Sequence, residues 1–292
     1  MELSGLWRRW RGSSAWLGAV KAGFAGQARV VWAWCVDAVP GWAGRLRNHW
    51  QKWWAFPGQR SVLCTRPRAG RGQPRLTKIL ATLAIVAAIL VATPEVLWRK
   101  PPVLAIAALP GTTLGRLGGP STGSPAAWAA AGAAIRKLHD APLPSRPSRS
   151  IVALAAELDE ECELLVTNGV LPADLVTRNR QVAEAALRPW TPAFTHGDLQ
   201  IAHVFVDGDE VTGIIDWSEA GQGDALYDLA TFTLGHEEHL DDVITGYGTD
   251  IDLDVIHAWW SLRSLLIVRW LVEHGFDPFA PGCEVDVLRS RM

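Results

Sequence analysis

Residues 195–230 hold four side chains whose types and spacing could do chemistry. His196 and Asp198 flank a glycine in a loop, His203 follows five positions after that aspartate, and Asp216 closes the stretch. Between His203 and Asp216 lie two β-type runs joined by the turn Asp-Gly-Asp-Glu at 207–210, which predicts a hairpin. Because a hairpin reverses the chain, it brings Asp216 back toward the loop. A carboxylate to orient a hydroxyl and two ligands for a metal on nucleotide phosphates are the groups that phosphoryl transfer needs.

The same stretch resembles the catalytic core of the aminoglycoside phosphotransferase and choline kinase-like family, relatives of the protein kinases. That family carries HGDxxxxN, a hairpin and an IDW or IDF triplet, and this chain has HGD at 196–198 and IDW at 215–217. The resemblance implies that Asp198 is the catalytic base, that Asp216 is the principal magnesium ligand and that His196 braces the loop. Asp224 and Asp228 follow in the next helix, where we expect them to cap the helix and support the loop.

The chain departs from the family pattern at three positions. Where the family has asparagine, this chain has His203, a softer nitrogen ligand that suits Mn²⁺ or Zn²⁺ better than Mg²⁺. The β-like run at 61–65 has Cys64 or Thr65 where the family has a phosphate-binding lysine, and the predicted helix at 74–93 has no acidic residue to pair with one. We also find no nucleotide-covering hairpin in residues 1–73.

The resemblance implies an α+β, protein kinase-like bilobal fold. We divide the chain into an atypical basic Trp/Arg-rich segment at 1–73, a remnant of the N-terminal lobe with the inter-lobe link at 74–111, and a mostly helical catalytic lobe at 112–292 that carries the hairpin. Strands are expected at 94–98 and 103–107. The N-terminal lobe is expected to be reduced or anomalous, because residues 1–73 show neither the nucleotide-covering hairpin nor the lysine-bearing strand of the family.

Nucleotide contacts follow from the same resemblance. In kinase-like folds the backbone of the inter-lobe link meets the adenine edge, so Ala107, Ala108 and Leu109 are the predicted contacts. Ile215, beside the metal ligand, is the fourth predicted nucleotide contact.

The charge, the cysteines and the apolar runs of the chain indicate where the protein is located and which partners it lacks. Net charge is −2 over 292 residues, but residues 1–75 hold 13 Lys or Arg against 2 acids. The four cysteines lack metal-ligand spacing and fit reduced thiols, so we expect a cytoplasmic protein. We expect no signal peptide, because the first residues alternate Trp, Arg and Gly without an apolar run, and no stable membrane span, because the apolar run at 79–92 is only fourteen residues long. We also expect no nucleic acid partner.

Charged residues outside the core stretch are interpreted mainly as solvated positions. The acids of the predicted helix at 151–166 form such a face, with docking of a cationic substrate as the alternative. In the long predicted helix at 254–273 and just beyond it, surface positions are again the interpretation, with acceptor contact as the alternative; they are His257, Arg263, Glu273 and His274.

These observations together predict a small-molecule kinase. It would transfer the γ-phosphoryl group of ATP or GTP to a hydroxyl of a small acceptor, with Mg²⁺ or Mn²⁺ held by Asp216 and His203. Three alternatives stay open at this point: an inactive relative that binds nucleotide, a metal-dependent hydrolase using His196, Asp198 and His203, and a membrane-associated protein built on the Trp/Arg segment. The acceptor cannot be derived from the sequence.

Overall fold

The computed structural model describes residues 18–24, 27–33, 61–65, 93–100, 103–116 and 118–291. The chain divides into two compact units. Unit 1 comprises Met1–Arg45, Trp50–Thr77 and Pro94–Leu109, and unit 2 comprises Leu46–His49, Lys78–Thr93 and Pro110–Met292. The helix predicted at 74–93 lies outside the described residues except for its last position. The three-part division of the chain stays a prediction.

The described strands of unit 1 form a five-stranded sheet with strand order β1-β2-β3-β5-β4. Strands β1 and β2 pair as an antiparallel hairpin, β2 and β3 are parallel, and the remaining pairs are antiparallel. The expectation that residues 1–73 lack a hairpin was therefore wrong, whereas the two strands expected near 94–98 and 103–107 are confirmed. The bounds are β1 Gly18–Phe24, β2 Gln27–Ala33, β3 Ser61–Thr65, β4 Val96–Lys100 and β5 Val103–Ala107.

In the described part of unit 2, two small antiparallel sheets contain the strands that precede and follow the loop at residues 196–200. One has strand order β6-β8-β9 and the other pairs β7 with β10. The predicted hairpin is confirmed as β8–β9, with Asp207 opposite Glu210 at the turn and a register shift between Phe205 and Val206. The bounds are β6 Thr112–Thr113, β7 Ala193–Thr195, β8 Val204–Asp207, β9 Glu210–Ile214 and β10 Gly221–Gly223.

About half of the described residues of unit 2 are in α-helices, and side-chain caps begin several of them. The hydroxyls of Ser124 and Ser150 accept the amides of Ala127 and Ala153, and a proline follows the first of these caps. The bounds are α1 Pro125–His139, α2 Ile151–Thr167, α3 Ala173–Ala183, α4 Ala225–Thr233, α5 Leu240–Tyr247, α6 Leu253–Glu273 and α7 Glu284–Ser290.

Helix α6 runs through the centre of unit 2. Its Trp260 is fully buried, and the indole N–H donates to the Ala230 carbonyl of α4 at 2.7 Å, which fixes the two helices against each other. In the described part of the chain, α6 is also the helix long and apolar enough to cross a bilayer by length and composition, with 56% of its apolar window buried inside the protein. Burial of this kind is typical of a core helix.

The acidic face of α2 is largely engaged within the protein. Three of its acids bind arginines, and the pairing of Glu161 with Arg269 uses two hydrogen bonds of 2.6 and 2.7 Å. These acids are therefore partnered residues instead of the free carboxylates that docking of a cationic substrate requires. The other two pairs are Glu157–Arg149 and Asp159–Arg180.

Candidate active site

A tight loop, residues 196–200, leaves β7 and presents Asp198. Gly197 has φ +83°, and a Cβ added there would lie 2.5 Å from the backbone oxygen of Glu219, so glycine is required by both conformation and space. The amides of His196 and Gly197 donate to the two carboxylate oxygens of Asp228 at 2.6 and 2.9 Å. The fully buried Asp228 of α4 thus ties the loop to the helical core.

The imidazole of His196 fixes the other side of the loop. It is fully buried, its Nε2 donates to the Ile215 carbonyl at 2.9 Å, and its Nδ1 lies 3.4 Å from the Asp198 amide nitrogen. Burial, with a smaller effect from His203, lowers the pKa of His196, so this ring is neutral and protonated on Nε2 at neutral pH. Both ring nitrogens serve the backbone, which makes His196 a link between the loop and the end of β9.

The carboxylate of Asp198 is held on one oxygen. Its Oδ1 accepts the Gln200 amide at 2.8 Å and lies 3.5 Å from the Arg263 guanidinium, while no described residue donates to Oδ2. Burial by itself would raise the pKa of Asp198, but Arg263, His203 and the Gln200 hydrogen bond outweigh it, so the pKa is lowered from its ordinary value. Asp198 is therefore ionised at neutral pH, with one oxygen available to accept a proton.

His203 sits between the loop and the hairpin end. Its Nδ1 lies 2.9 Å from the Asp198 carbonyl, which can only accept, so that nitrogen donates and carries the hydrogen. The other nitrogen, Nε2, faces the Asp216 carboxylate at 3.9 Å. The Ile215 amide donates to the His203 carbonyl at 3.0 Å and closes the open end of the hairpin beside this pair.

Asp216 follows the hairpin in a strained conformation. Among the described residues, Asp216 is the non-glycine residue with a positive φ, which is +66°. Such a backbone conformation costs roughly 1 kcal/mol or more. The carboxylate is about half exposed, and Ser218 donates to Oδ1 at 3.1 Å. In this conformation the Asp216 carboxylate lies toward His203 and is partly open to solvent.

The two predicted metal ligands thus share one space. Donors bound to one Mg²⁺ at about 2.1 Å stand roughly 3 Å apart, so the 3.9 Å between Nε2 of His203 and Oδ2 of Asp216 needs only a small adjustment. In the described parts of the chain no group of three or more His, Cys, Asp or Glu side chains could hold a metal ion. The donor set therefore fits a cation that takes its other ligands from phosphates and water.

Asp224 directly precedes α4, the helix that carries the loop-supporting Asp228. Its Oδ1 accepts the Leu226 amide at 3.1 Å and caps α4, as the sequence predicted from its position after Gly223. Its Oδ2 accepts the Trp259 indole N–H at 2.9 Å and lies 3.4 Å from Arg188. Asp224 is thus a fully engaged, buried carboxylate beside the active loop.

The four predicted nucleotide contacts fall in different surroundings. In unit 1 the Ala107 amide donates to the Glu95 carbonyl at 2.8 Å, and Ala108 and Leu109 follow as half-buried, irregular chain. In unit 2 Ile215 is buried, and its amide and carbonyl serve His203 and His196. A nucleotide contact at Ile215 would thus involve its side chain, and the role of all four residues stays a prediction.

Arg263 is the residue whose place the sequence interpretation got wrong. Instead of a surface position, its side chain is 12% exposed and lies between Asp198 and Glu284, at 3.5 and 3.3 Å. The helical pattern places Arg263 one turn after Trp259 on α6, but that pattern does not say which loop this face meets. Gln200 was missed for a similar reason, since a lone amide carries no motif.

The comparisons agree with this geometry. The profile of the phosphotransferase enzyme family matches residues 51–259. Three similar solved structures cover most of the chain. A macrolide 2'-phosphotransferase from Brachybacterium faecium is 19% identical, with a TM-score of 0.57 over 79% of this chain and 82% of that one. An aminoglycoside 2'-phosphotransferase solved with GDP is 20% identical, with a TM-score of 0.61 over 79% and 85%.

The third similar solved structure is that of a choline/ethanolamine kinase family protein from Mesorhizobium loti. It is 23% identical, with a TM-score of 0.52 over 78% of this chain and 77% of that one. At these identities the structures show a common fold, that of the protein kinase-like phosphotransferases. No curated protein sequence matches the chain. Since the family profile spans most of the chain and the fold agrees, this chain belongs to the phosphotransferase enzyme family.

Proposed function

We propose that this protein is a small-molecule kinase that transfers the γ-phosphoryl group of ATP or GTP to a hydroxyl of a small acceptor. Membership of the phosphotransferase enzyme family supports the reaction type. The observation that carries the proposal is the state of Asp198: an ionised carboxylate on a tied loop, with Oδ1 occupied and Oδ2 open. That oxygen can orient the acceptor hydroxyl and accept its proton.

His203 and Asp216 would hold the cation on the nucleotide phosphates. When bound, Mg²⁺ or Mn²⁺ would supply positive charge to offset the charge that develops on the transferring phosphoryl group. The hydrogen bond from Nδ1 of His203 to the Asp198 carbonyl fixes the ring orientation and leaves the lone pair on Nε2 facing Asp216. The ligand pair and the base are thus linked through one peptide group.

The other contacts of the loop position the catalytic base and the metal ligands. The Asp228 carboxylate binds two successive loop amides, and the His196 ring binds the chain end that carries Asp216. These contacts hold the base and the metal ligands at a set separation before substrates arrive. Positioning of this kind accounts for much of the rate in phosphoryl transfer, because the protein supplies little covalent chemistry.

The hydrolase alternative finds no support in the described residues. It needs His196 as a third metal ligand beside Asp198 and His203, but both nitrogens of that buried ring are turned to the backbone. The inactive-relative alternative keeps a specific basis, because the sequence has no lysine at the expected strand position in 61–65. Turnover is what separates it from the proposal.

A turnover screen tests the proposal. The full chain is incubated with ATP or GTP, Mg²⁺ or Mn²⁺ and a panel of hydroxyl compounds, and phosphorylated acceptor is detected by mass spectrometry beside nucleotide affinity by calorimetry. The expected result is a phosphorylated acceptor made by the parent and by Asp250→Asn, an exposed control, but not by Asp216→Asn. Equal product from Asp216→Asn contradicts the assignment, and nucleotide binding without product identifies an inactive relative.

A further inference from the structure

A buried series of hydrogen bonds connects the end of α5 to the loop at 196–200. The Tyr247 hydroxyl lies 2.9 Å from Nδ1 of His139, and Nε2 of the same ring lies 3.2 Å from the Asp228 carboxylate. That carboxylate in turn accepts two successive amides of the loop. All three side chains are buried. We call Tyr247, His139 and Asp228 the support triad.

Two glycines bring α1 and α5 close enough for the first of these contacts. Gly132 of α1 leaves no room for a Cβ against a carbonyl oxygen of α5, and Gly246 of α5 leaves none against a carbonyl oxygen of α1. His139 is the last residue of α1 and Tyr247 is the last residue of α5. Their rings meet edge to face with centroids 5.6 Å apart. The close contact of the two helices thus holds Tyr247 against His139.

The donors and acceptors of the support triad fix the positions of its hydrogens. The Asp228 carboxylate already accepts two amides and can only accept, so Nε2 of His139 carries a hydrogen and donates it. Burial raises the pKa of Tyr247 to about 12, so the phenol keeps its hydrogen at neutral pH. Among the described residues, the acceptor that this hydroxyl contacts is Nδ1 of His139. The hydroxyl therefore donates to Nδ1, and the ring carries its hydrogen on Nε2.

We propose that Tyr247 and His139 are positioning residues that act through Asp228 to hold the loop in the conformation that presents Asp198. One oxygen of Asp228, Oδ2, accepts both the His139 ring and a loop amide, so a change in the ring's orientation reaches the loop directly. The expected effect on the rate rests on the proposed function. The expected effect on the loop rests on the hydrogen bonds alone.

Nitrogen NMR tests the positions of the hydrogens directly. Spectra of the full chain, labelled with ¹⁵N at histidine, distinguish a ring nitrogen that bears a hydrogen from one that does not, and His139→Gln assigns the signals. The parent should have a hydrogen on Nε2 and none on Nδ1. Tyr247→Phe should shift the Nδ1 signal, because this nitrogen loses its donor. A hydrogen on Nδ1 in the parent, or an Nδ1 signal that Tyr247→Phe leaves unmoved, overturns the assigned arrangement.

Hydrogen exchange tests the effect on the loop. In Tyr247→Phe, protection of the His196 and Gly197 amides should fall by roughly threefold to tenfold, because a buried hydrogen bond behind their acceptor is lost. Protection in α2 should stay as in the parent. Thr245→Val is the matched control, since it removes an exposed hydroxyl that donates to the Asp241 carbonyl on the same helix. Unchanged protection of both loop amides overturns the inference. A fall of equal size in α2 also overturns it, because that result shows general destabilisation.

Two substitutions of His139 keep the test decisive even if Tyr247→Phe fails to fold. His139→Gln keeps an N–H group that can donate to Asp228, whereas His139→Leu has none. Loop protection and kcat should each fall roughly tenfold in His139→Leu and be largely restored in His139→Gln, with the KM for nucleotide unchanged. Circular dichroism checks that both variants are folded. Equal loop protection in the two variants overturns the inference.

Failure of the kinase proposal would appear separately. It would be seen as absence of any phosphorylated product from the parent, whereas the NMR signals and the exchange rates of the loop amides do not depend on turnover. Those two measurements then decide the role of the support triad by themselves.

Discussion

Asp228→Asn offers the sharpest test of how the active loop is held. Three donors converge on this buried carboxylate: the amides of His196 and Gly197 at 2.6 and 2.9 Å and the His139 ring at 3.2 Å. An asparagine keeps one acceptor oxygen and turns its NH₂ group toward a backbone amide, donor against donor. The amide that loses its charge-assisted bond is the same amide that is left buried and unpaired, so the loop should be destabilised by roughly 1–3 kcal/mol.

Hydrogen exchange measures this effect locally, which matters because a chain of two units need not unfold in a single transition. Protection of the His196 and Gly197 amides should fall by roughly tenfold to a hundredfold, since each 1.4 kcal/mol is a factor of ten. Asp140→Asn is the matched control, because its partner Arg136 is an exposed (i, i+4) neighbour and such pairs contribute little. Unchanged protection of both loop amides in Asp228→Asn would refute the role assigned to this carboxylate.

Three further predictions concern the loop and its ligands. His203→Asn should weaken Mn²⁺ binding about tenfold relative to Mg²⁺, measured by electron paramagnetic resonance with magnesium competition, and an unchanged ratio would show that the imidazole is no ligand. Gly197→Ala should lower the melting temperature more than Gly169→Ala does, because both positions have positive φ but only Gly197 has a backbone oxygen 2.5 Å from the new Cβ; equal shifts would refute this. Because the pKa of Asp198 is lowered in the folded protein, its ionised carboxylate stabilises the fold above its unfolded pKa of about 4, and this contribution is lost as the pH falls through the folded pKa. The difference in unfolding free energy between the parent and Asp198→Asn should therefore be constant between about pH 5 and pH 8 in urea titrations.

The parts of the site that local sequence encodes were predictable. The Asp-Gly turn at 207–210 sets the β8–β9 hairpin, and the hairpin in turn brings His203 and Asp216 together. The cap at Asp224 follows from its place between a glycine and a helix-forming run. Each of these features depends on residues within a few positions of one another, where turn and capping chemistry dominate.

The long-range contacts were not predictable in the same way. Helical periodicity marks Arg263 as part of α6 but leaves open whether its face meets solvent or the loop at Asp198. The sequence placed Asp228 as a support for the loop, but its hydrogen bonds go to backbone amides, which leave no trace in the identity of the partner residues. The β1–β2 pair was missed because the small Ala and Gly residues in both strands weaken the alternation by which strands are recognised.

The rate of acceptor phosphorylation by Asp198→Asn tests the central claim most directly. With nucleotide affinity measured on the same samples, the account predicts a rate lower by roughly two to four orders of magnitude, because a neutral amide cannot take the hydroxyl proton, and an unchanged affinity for the nucleotide. A variant that phosphorylates the acceptor as fast as the parent would contradict the claim that Asp198 is the base around which the loop, the hairpin and Arg263 are arranged.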